Sequence, residues 1–434
     1  RTFERTLKPT LAIREYSRYI QHHPDGSRAL EAESRIKLLR EFPPDSQDRL
    51  AGSLVGLISK IPEVSKNPRS IFHLGKYLAQ TSSYELATSL LEASLTSDTL
   101  SNHASEATFL LGECLLALSR KAELTGKGAK SKALRKRGLD THREVVAAYA
   151  DSLWSDYATI SIAEEEARHI VSDTTRALYL LQNYRNFLDT YPHSIRNHFA
   201  SLRIADAHRL LGEQDPAQVS SALKLYSKVV KSDAERSIRE RAALGIGLCQ
   251  SMAQDLVAAE ETLRTFLFDY PNSSLTDKAQ YELGQILLER GFYRGAADEL
   301  SELLLSPSSL ELEKASRSLL SESYFRLGDF KKTIEIDEGL LRRRLDAPLL
   351  RRLARAYQED QQPNKAIETY STFLRSFPKV SDADSIAFIR ADLLSYLGRE
   401  SEAISAFKSF AGQFPNSPLS DEANRIVAGL LFTT

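Results

Sequence analysis

The nine histidines of this 434-residue chain all fall between His22 and His208, and imidazole is both a frequent metal ligand and a base near neutral pH. A helical zinc site sets two histidines four apart on one face, as in H-x-x-x-H or H-E-x-x-H, and no pair here has that spacing. His193 and His198 come nearest, across a segment that reads as a linker. Gly126-Lys-Gly-Ala-Lys-Ser131 has the composition of a phosphate loop, but it lacks the G-x-x-x-x-G-K-[ST] spacing and follows no strand. Glu164, Glu165 and Glu166 are successive carboxylates on a helix, a pattern that reads as a solvated face. There is no G-x-S-x-G and no cysteine near a pattern-matched histidine. The expectation is a protein with no catalytic residues, no cofactor-binding residues and no metal ligands, hence not an enzyme, whose work is done by its surface.

The elements that set that surface are helices, and they carry a period. Small residues stand at Gly247, Gly284, Ser321, Ala354 and Ala391, and twelve positions after each comes another, at Ala259, Ala296, Thr333, Ala366 and Ala403. The steps along this ladder are 37, 37, 33 and 37 residues, a period that signals stacked supersecondary units. Within one unit, Leu283, Gly284 and Leu287 share a face of a first helix. Arg290-Gly291 breaks it, and Ala296, Leu300, Leu303 and Leu304 mark a second. Small residues at the crossing let two antiparallel backbones approach, while Tyr293, Phe330, Tyr370, Phe373, Phe407 and Phe410 fill the wider gaps. Pro271, Pro378 and Pro415 end second helices in the same register.

Three sets of residues, Leu283-Gly284 with Gly291, Tyr293 and Ala296, Tyr324 with Leu327-Gly328-Asp329-Phe330, and Tyr357 with Ala366-Ile367, Tyr370 and Pro378, resemble the tetratricopeptide repeat (TPR) pattern. The resemblance implies an all-α fold, a TPR-like α-solenoid built as a right-handed superhelix of antiparallel helix pairs. The linkers that begin Tyr270-Pro-Asn-Ser and Phe414-Pro-Asn-Ser resemble those of the bacterial cell-envelope branch, with BamD- and CpoB-like repeats. In them proline stops one helix, Asn-Ser turns the chain, and Ser or Thr with a following Asp is expected to cap the next helix. The function so implied is a non-enzymatic protein–protein interaction scaffold, organising a periplasmic or outer-membrane-associated complex. The alternative is a cytoplasmic TPR adaptor, or a solenoid regulator that positions a separate cell-wall enzyme.

Net charge is -1 and the sequence pI about 6.9, so the chain as a whole gives no electrostatic reason to favour nucleic acid or an anionic membrane. No apolar run has the length of a membrane-spanning helix. The start at Arg1, without methionine or a signal-like segment, reads as a mature or trimmed product. Cys114 and Cys249, on first helices of different repeats, are expected as buried free thiols. The expected organisation is irregular N-terminal helices with a half repeat over 1–62, then TPR-like repeats over 63–238. The latter carry a basic insertion at 119–143 and an enlarged turn at 213–219. Five regular TPR repeats follow over 239–415, and a C-terminal capping helix over 416–434.

First helices line the inner wall in the TPR architecture, so the resemblance places Tyr281, Gln285, Phe325, Arg351, Arg355, Phe388 and Tyr396 in a partner-binding groove, with Glu322 and Asp392 among their neighbours. Aromatic and arginine side chains there suit an extended or helical peptide from a membrane-complex subunit or another protein. Arg342-Arg343-Arg344 with Arg351, Arg352 and Arg355 is the densest positive cluster of the regular part. The basic insertion contributes a second patch of Lys130, Lys132, Arg135, Lys136 and Arg137, either a solvated loop or helical extension, or a surface for an acidic partner, lipid headgroups or nucleic acid.

Overall fold

The computed structural model describes residues 67–96, 102–342 and 345–433. The helices expected over 1–62, together with Arg343 and Arg344, lie outside the described residues. The described chain forms helices and no strand, and these pack as two compact units, one ending at Ile238 and the other beginning at Arg239.

Among the described residues the first unit has four hairpins: α1 (Pro68–Gln80) with α2 (Tyr84–Leu95), α3 (Ala104–Leu124) with α4 (Gly128–Ala148), α5 (Leu153–Ala167) with α6 (Asp173–Thr190), and α7 (Asn197–Leu211) with α8 (Pro216–Val230). Helix α9 (Arg236–Met252) opens next and pairs with α10 (Leu256–Asp269). Then come α11 (Thr276–Glu289) with α12 (Tyr293–Leu303), α13 (Leu310–Leu327) with α14 (Phe330–Leu341), α15 (Ala347–Glu359) with α16 (Pro363–Ser376), and α17 (Ala383–Tyr396) with α18 (Glu400–Gln413). Helix α19 (Ser420–Thr433) packs on α18. The fold is an all-α, TPR-like α-solenoid.

Each hairpin closes on one contact. The small residue of the first helix faces a knob in the second, sixteen positions later in α1/α2 and in the hairpins from α9 to α18 and further on in α3/α4, α5/α6 and α7/α8, because a side chain at the crossing can be large only if its counterpart is absent. A Cβ on Gly75 would stand 3.1 Å from Leu91, one on Gly247 2.8 Å from Leu263, and one on Gly284 2.8 Å from Leu300. Tyr370 and Phe407 are the corresponding knobs of the last two hairpins, and both are fully buried. Seven positions after the small residue the chain turns through a left-handed residue, at Gly291, Gly328 and Gly398 but also at Ser82, Gln254 and Gln361. A Cβ at positive φ is strained, and Gln361 at φ 58 should be improved by glycine. Gln361→Gly is expected to raise stability by about 0.5–1 kcal/mol, read as a higher urea midpoint; a lower midpoint would remove the strain argument.

The linkers differ from the capping expected of them. Leu275, not Ser or Thr, precedes α11 as its N-cap and makes no side-chain cap. Ser273 Oγ instead accepts from the Leu275 N–H at 3.2 Å and donates to Glu240 of the preceding first helix at 2.8 Å. Ser417 does the same with Leu419 N–H and Asp384. The linker hydroxyl thus fastens one hairpin to the previous one, and the hydroxyls of Thr276 and Ser420 turn back to the Tyr270 and Phe414 carbonyls.

The basic segment 119–143 is not a loop between two helices. It is absorbed as about two further turns on each of α3 and α4, which are 21 residues long apiece. The extra length preserves the crossing: Gly138 packs its backbone on Leu116, and His142 takes the knob position against Gly112, where a Cβ would lie 2.6 Å from the ring. Ser119 and Ser131 form a second small pair nearer the turn, with Ser119 Oγ donating to the Ser131 carbonyl at 2.8 Å.

In α13/α14 the knob is a carboxylate. Asp337 is fully buried, accepts from Ser321 Oγ at 2.7 Å, and receives Arg352 of α15 through Nε at 2.8 Å and Nη2 at 2.7 Å. Arg352 also donates to Glu322 at 3.2 Å, which takes a second bond from Arg326 at 2.7 Å. Burial pushes the Glu322 carboxyl up, yet these two guanidiniums hold it below the ordinary carboxylate range. Arg352 is therefore an internal tie, not part of an exposed positive cluster.

Candidate functional site

The first unit holds an open groove of about 700 Å³ whose apolar floor includes Leu116, Ile160, Leu180 and Leu210. Glu113, Glu164 and Asp206 line it. Each directly follows the small residue of its first helix, Gly112, Ala163 or Ala205, so the three carboxylates occupy one register position in successive hairpins.

The knob of the second helix reaches each of them. His142 Nε2 lies 3.1 Å from Glu113, Tyr184 donates its hydroxyl to Glu164, and Tyr226 donates to Asp206 at 2.7 Å. Burial raises the Glu113 carboxyl, but the His142 contact, Ser161 at 2.7 Å and the charge of Arg120 bring it below its ordinary value. Tyr184 is pushed well up by burial and by Glu164, so its hydroxyl stays a donor. Arg203 spans two of the acids, bonding Glu164 through Nε at 2.6 Å and Nη2 at 2.9 Å and Asp206 at 3.0 Å. Burial alone would lower its guanidinium, yet these carboxylates raise it.

Arg120, Arg168 and Arg176 complete the groove. It therefore offers an apolar strip between fixed carboxylates and guanidiniums, chemistry suited to a peptide with alternating apolar and charged side chains. Its lining hydroxyl, Ser161, donates to Glu113, whose carboxyl is held below its ordinary value. Cys114, on the same helix as Glu113, is a buried free thiol pushed up to about 12 by its burial. Cys249 is also free and buried. Among the described residues there is no group of three His, Cys, Asp or Glu side chains able to hold a metal, and no helix long and apolar enough to cross a membrane.

The run Glu164–Glu166 is not a solvated face. Glu164 bonds Arg203, Glu165 is buried between Arg120, Arg135 and His169, and Glu166 takes Arg143 at 2.6 Å and the Tyr179 hydroxyl. Three successive residues point about 100° apart, and here each direction meets a different neighbour.

In the second unit the structure brings Phe325 and Arg355 together, the guanidinium 5.4 Å from the ring centroid. Arg351 lies over Phe373 at 5.9 Å and is tied to Asp382 at 2.8 Å. Tyr281 packs beside Ala297, Leu300 and Leu320, and Gln285 is half-buried. Phe388 turns inward, edge-on to Phe407 at 5.3 Å and Phe410 at 5.7 Å, so it belongs to the packing of α17 on α18. Tyr396 stands 83% exposed at the end of α17. In the basic segment Arg137 pairs with Glu92 and Arg135 with Glu165. Lys130, Lys132 and Lys136 are exposed.

A tetratricopeptide-repeat family model matches residues 351–418, the span from α15 to the linker after α18. No curated protein matches the sequence. Among solved structures, the chain is similar to a signal-transduction ATPase with a tetratricopeptide repeat sensor from Pyrococcus horikoshii. The TM-score is 0.51 and the identity 15%, over 91% of this chain and 56% of that one. It is also similar to a tetratricopeptide repeat protein from Parabacteroides merdae, at 13% identity and TM-score 0.39 over 62% of this chain and 99% of that one. The apo form of RapI matches at 13% identity and TM-score 0.47, over 74% and 97%. Likeness at such identities concerns the fold. The chain is thus a TPR-like α-solenoid in fold, and its residues 351–418 match the tetratricopeptide repeat.

Proposed function

We propose that the protein is a non-enzymatic interaction scaffold that receives an extended or helical segment of a partner protein on the inner faces of its first helices. The observation that carries this reading is the groove of the first unit, whose apolar floor runs between carboxylates and guanidiniums already locked in place, so little order is lost on binding. The exposed Arg355 on Phe325, with Tyr281, Gln285, Arg351 and Tyr396 nearby in sequence register, supplies a second contact surface on the other unit. The Tyr270-Pro-Asn-Ser and Phe414-Pro-Asn-Ser linkers support a place in a bacterial cell envelope, in a periplasmic or outer-membrane-associated assembly.

The test is capture of partners from the source organism with three baits: the parent, Arg355→Glu and the pair Arg168→Glu/Arg176→Glu. Partner affinity is then measured with purified components. Reversal of rim charge at a contact is expected to weaken binding about tenfold or more. Equal recovery and equal affinity for all three baits would remove the groove assignment, and turnover of a substrate by the purified chain would remove the scaffold reading.

A further inference from the structure

The lengthened α3/α4 hairpin leaves a tip that its neighbours do not cover. Lys121 Nζ lies 3.2 Å from Glu85 in the first turn of α2, which sets Lys121 level with the end of the α1/α2 hairpin. The chain continues beyond it from 122 to 126, by about 7 Å at 1.5 Å per residue, before it turns back into α4. Leu124 at the end of α3 is 88% exposed, Lys127 and Lys130 are exposed beside it at the turn, and Lys132 and Lys136 continue as an exposed stripe down α4, all four with no ion pair among the described residues. The acids of the segment are spent elsewhere, Glu123 on Arg168 at 3.4 Å and Asp140 on Arg143 at 2.9 Å. That Glu123–Arg168 pair brings the neighbouring α5–α6 turn alongside, and there Val171 is 97% exposed.

We infer that this tip is a docking surface for an anionic lipid membrane, with lysines against the headgroups and Leu124 and Val171 entering the interface. A nucleic acid would meet the lysines but leave the two aliphatic side chains in water. A fluid, negatively charged interface accepts both the charge and the apolar points.

The full chain is tested by co-sedimentation with phosphatidylcholine vesicles and with vesicles holding about 30% phosphatidylglycerol, at about 0.1 M salt. Binding is expected to the anionic vesicles and not to the neutral ones. Each lysine is worth about a fivefold change in partition, so Lys127→Glu/Lys130→Glu/Lys132→Glu/Lys136→Glu should lower binding about a hundredfold or more. Leu124→Ser should lower it about tenfold. These side chains are exposed, so far-UV circular dichroism should match the parent, and Arg355→Glu should bind vesicles like the parent. The inference is overturned by equal partition onto both vesicles, by no partition onto either, or by a lysine variant that binds unchanged. It is also overturned if Leu124→Ser binds unchanged while a short DNA duplex competes the protein off the vesicles, because charge alone would then account for the attraction.

Discussion

Replacing Asp337 with alanine should destabilise the second unit by about 3–5 kcal/mol, because it strands Arg352 in the interior with only Glu322 to face. The carboxylate occupies the position that holds Leu263, Leu300, Tyr370 and Phe407 in neighbouring hairpins, and its three hydrogen bonds to Ser321 and Arg352 make up for its lost hydration. The counterpart is the double change Asp337→Leu/Arg352→Leu, which restores the apolar knob of the other hairpins. Replacement of a buried pair by apolar side chains is often neutral or stabilising, so the double variant should unfold at or above the parent midpoint. Glu322 retains Arg326 in that background. Urea unfolding followed by circular dichroism reads both. A single variant within about 0.5 kcal/mol of the parent would contradict the account, as would a double variant weaker than either single one.

Phe407→Ala removes the knob of the last hairpin and should cost about 3–5 kcal/mol through the cavity left against Phe388 and the small residue Ala391. Because hairpins in a solenoid touch mainly their neighbours, the loss should be local. Amide exchange is expected to accelerate in α17, α18 and α19 well before α9 to α12 respond. Uniform acceleration across the unit would show that the hairpins of this unit are tied more tightly than nearest-neighbour packing allows.

The regular ladder from Gly247 to Ala391 was legible because its small residues recur at a nearly constant step, with a turn glycine in the same register at 291, 328 and 398. The groove of the first unit was not, for a physical reason. Fourteen added residues in α3/α4 and five in each of the next two hairpins displace the second helix from the first, so a search at fixed spacing never aligns Gly112 with Gly138 and His142, or Ala205 with Ala222 and Tyr226. A search allowing the turn to vary while holding small residue, knob and final aromatic in order would have found Glu113, Glu164 and Asp206 in one register. Side-chain direction was the other obstacle. Phe388 shares a helix with exposed positions yet closes on Phe407, and Glu165 shares a run with Glu164 and Glu166 yet is buried. Composition records neither.

The way each knob is satisfied also decides how freely the hairpins could be rearranged. Where the carboxylate's partners lie in the same hairpin, as Tyr226 and Arg203 with Asp206, the carboxylate would keep its hydrogen bonds if the hairpin were duplicated or grafted as a cassette. Asp337 depends on Arg352 in the following hairpin, so α13/α14 is not such a cassette. Any insertion, deletion or recombination junction placed between α14 and α15 would separate a buried charge from its counterion, making that short connection the least permissive seam for modular change in the second unit.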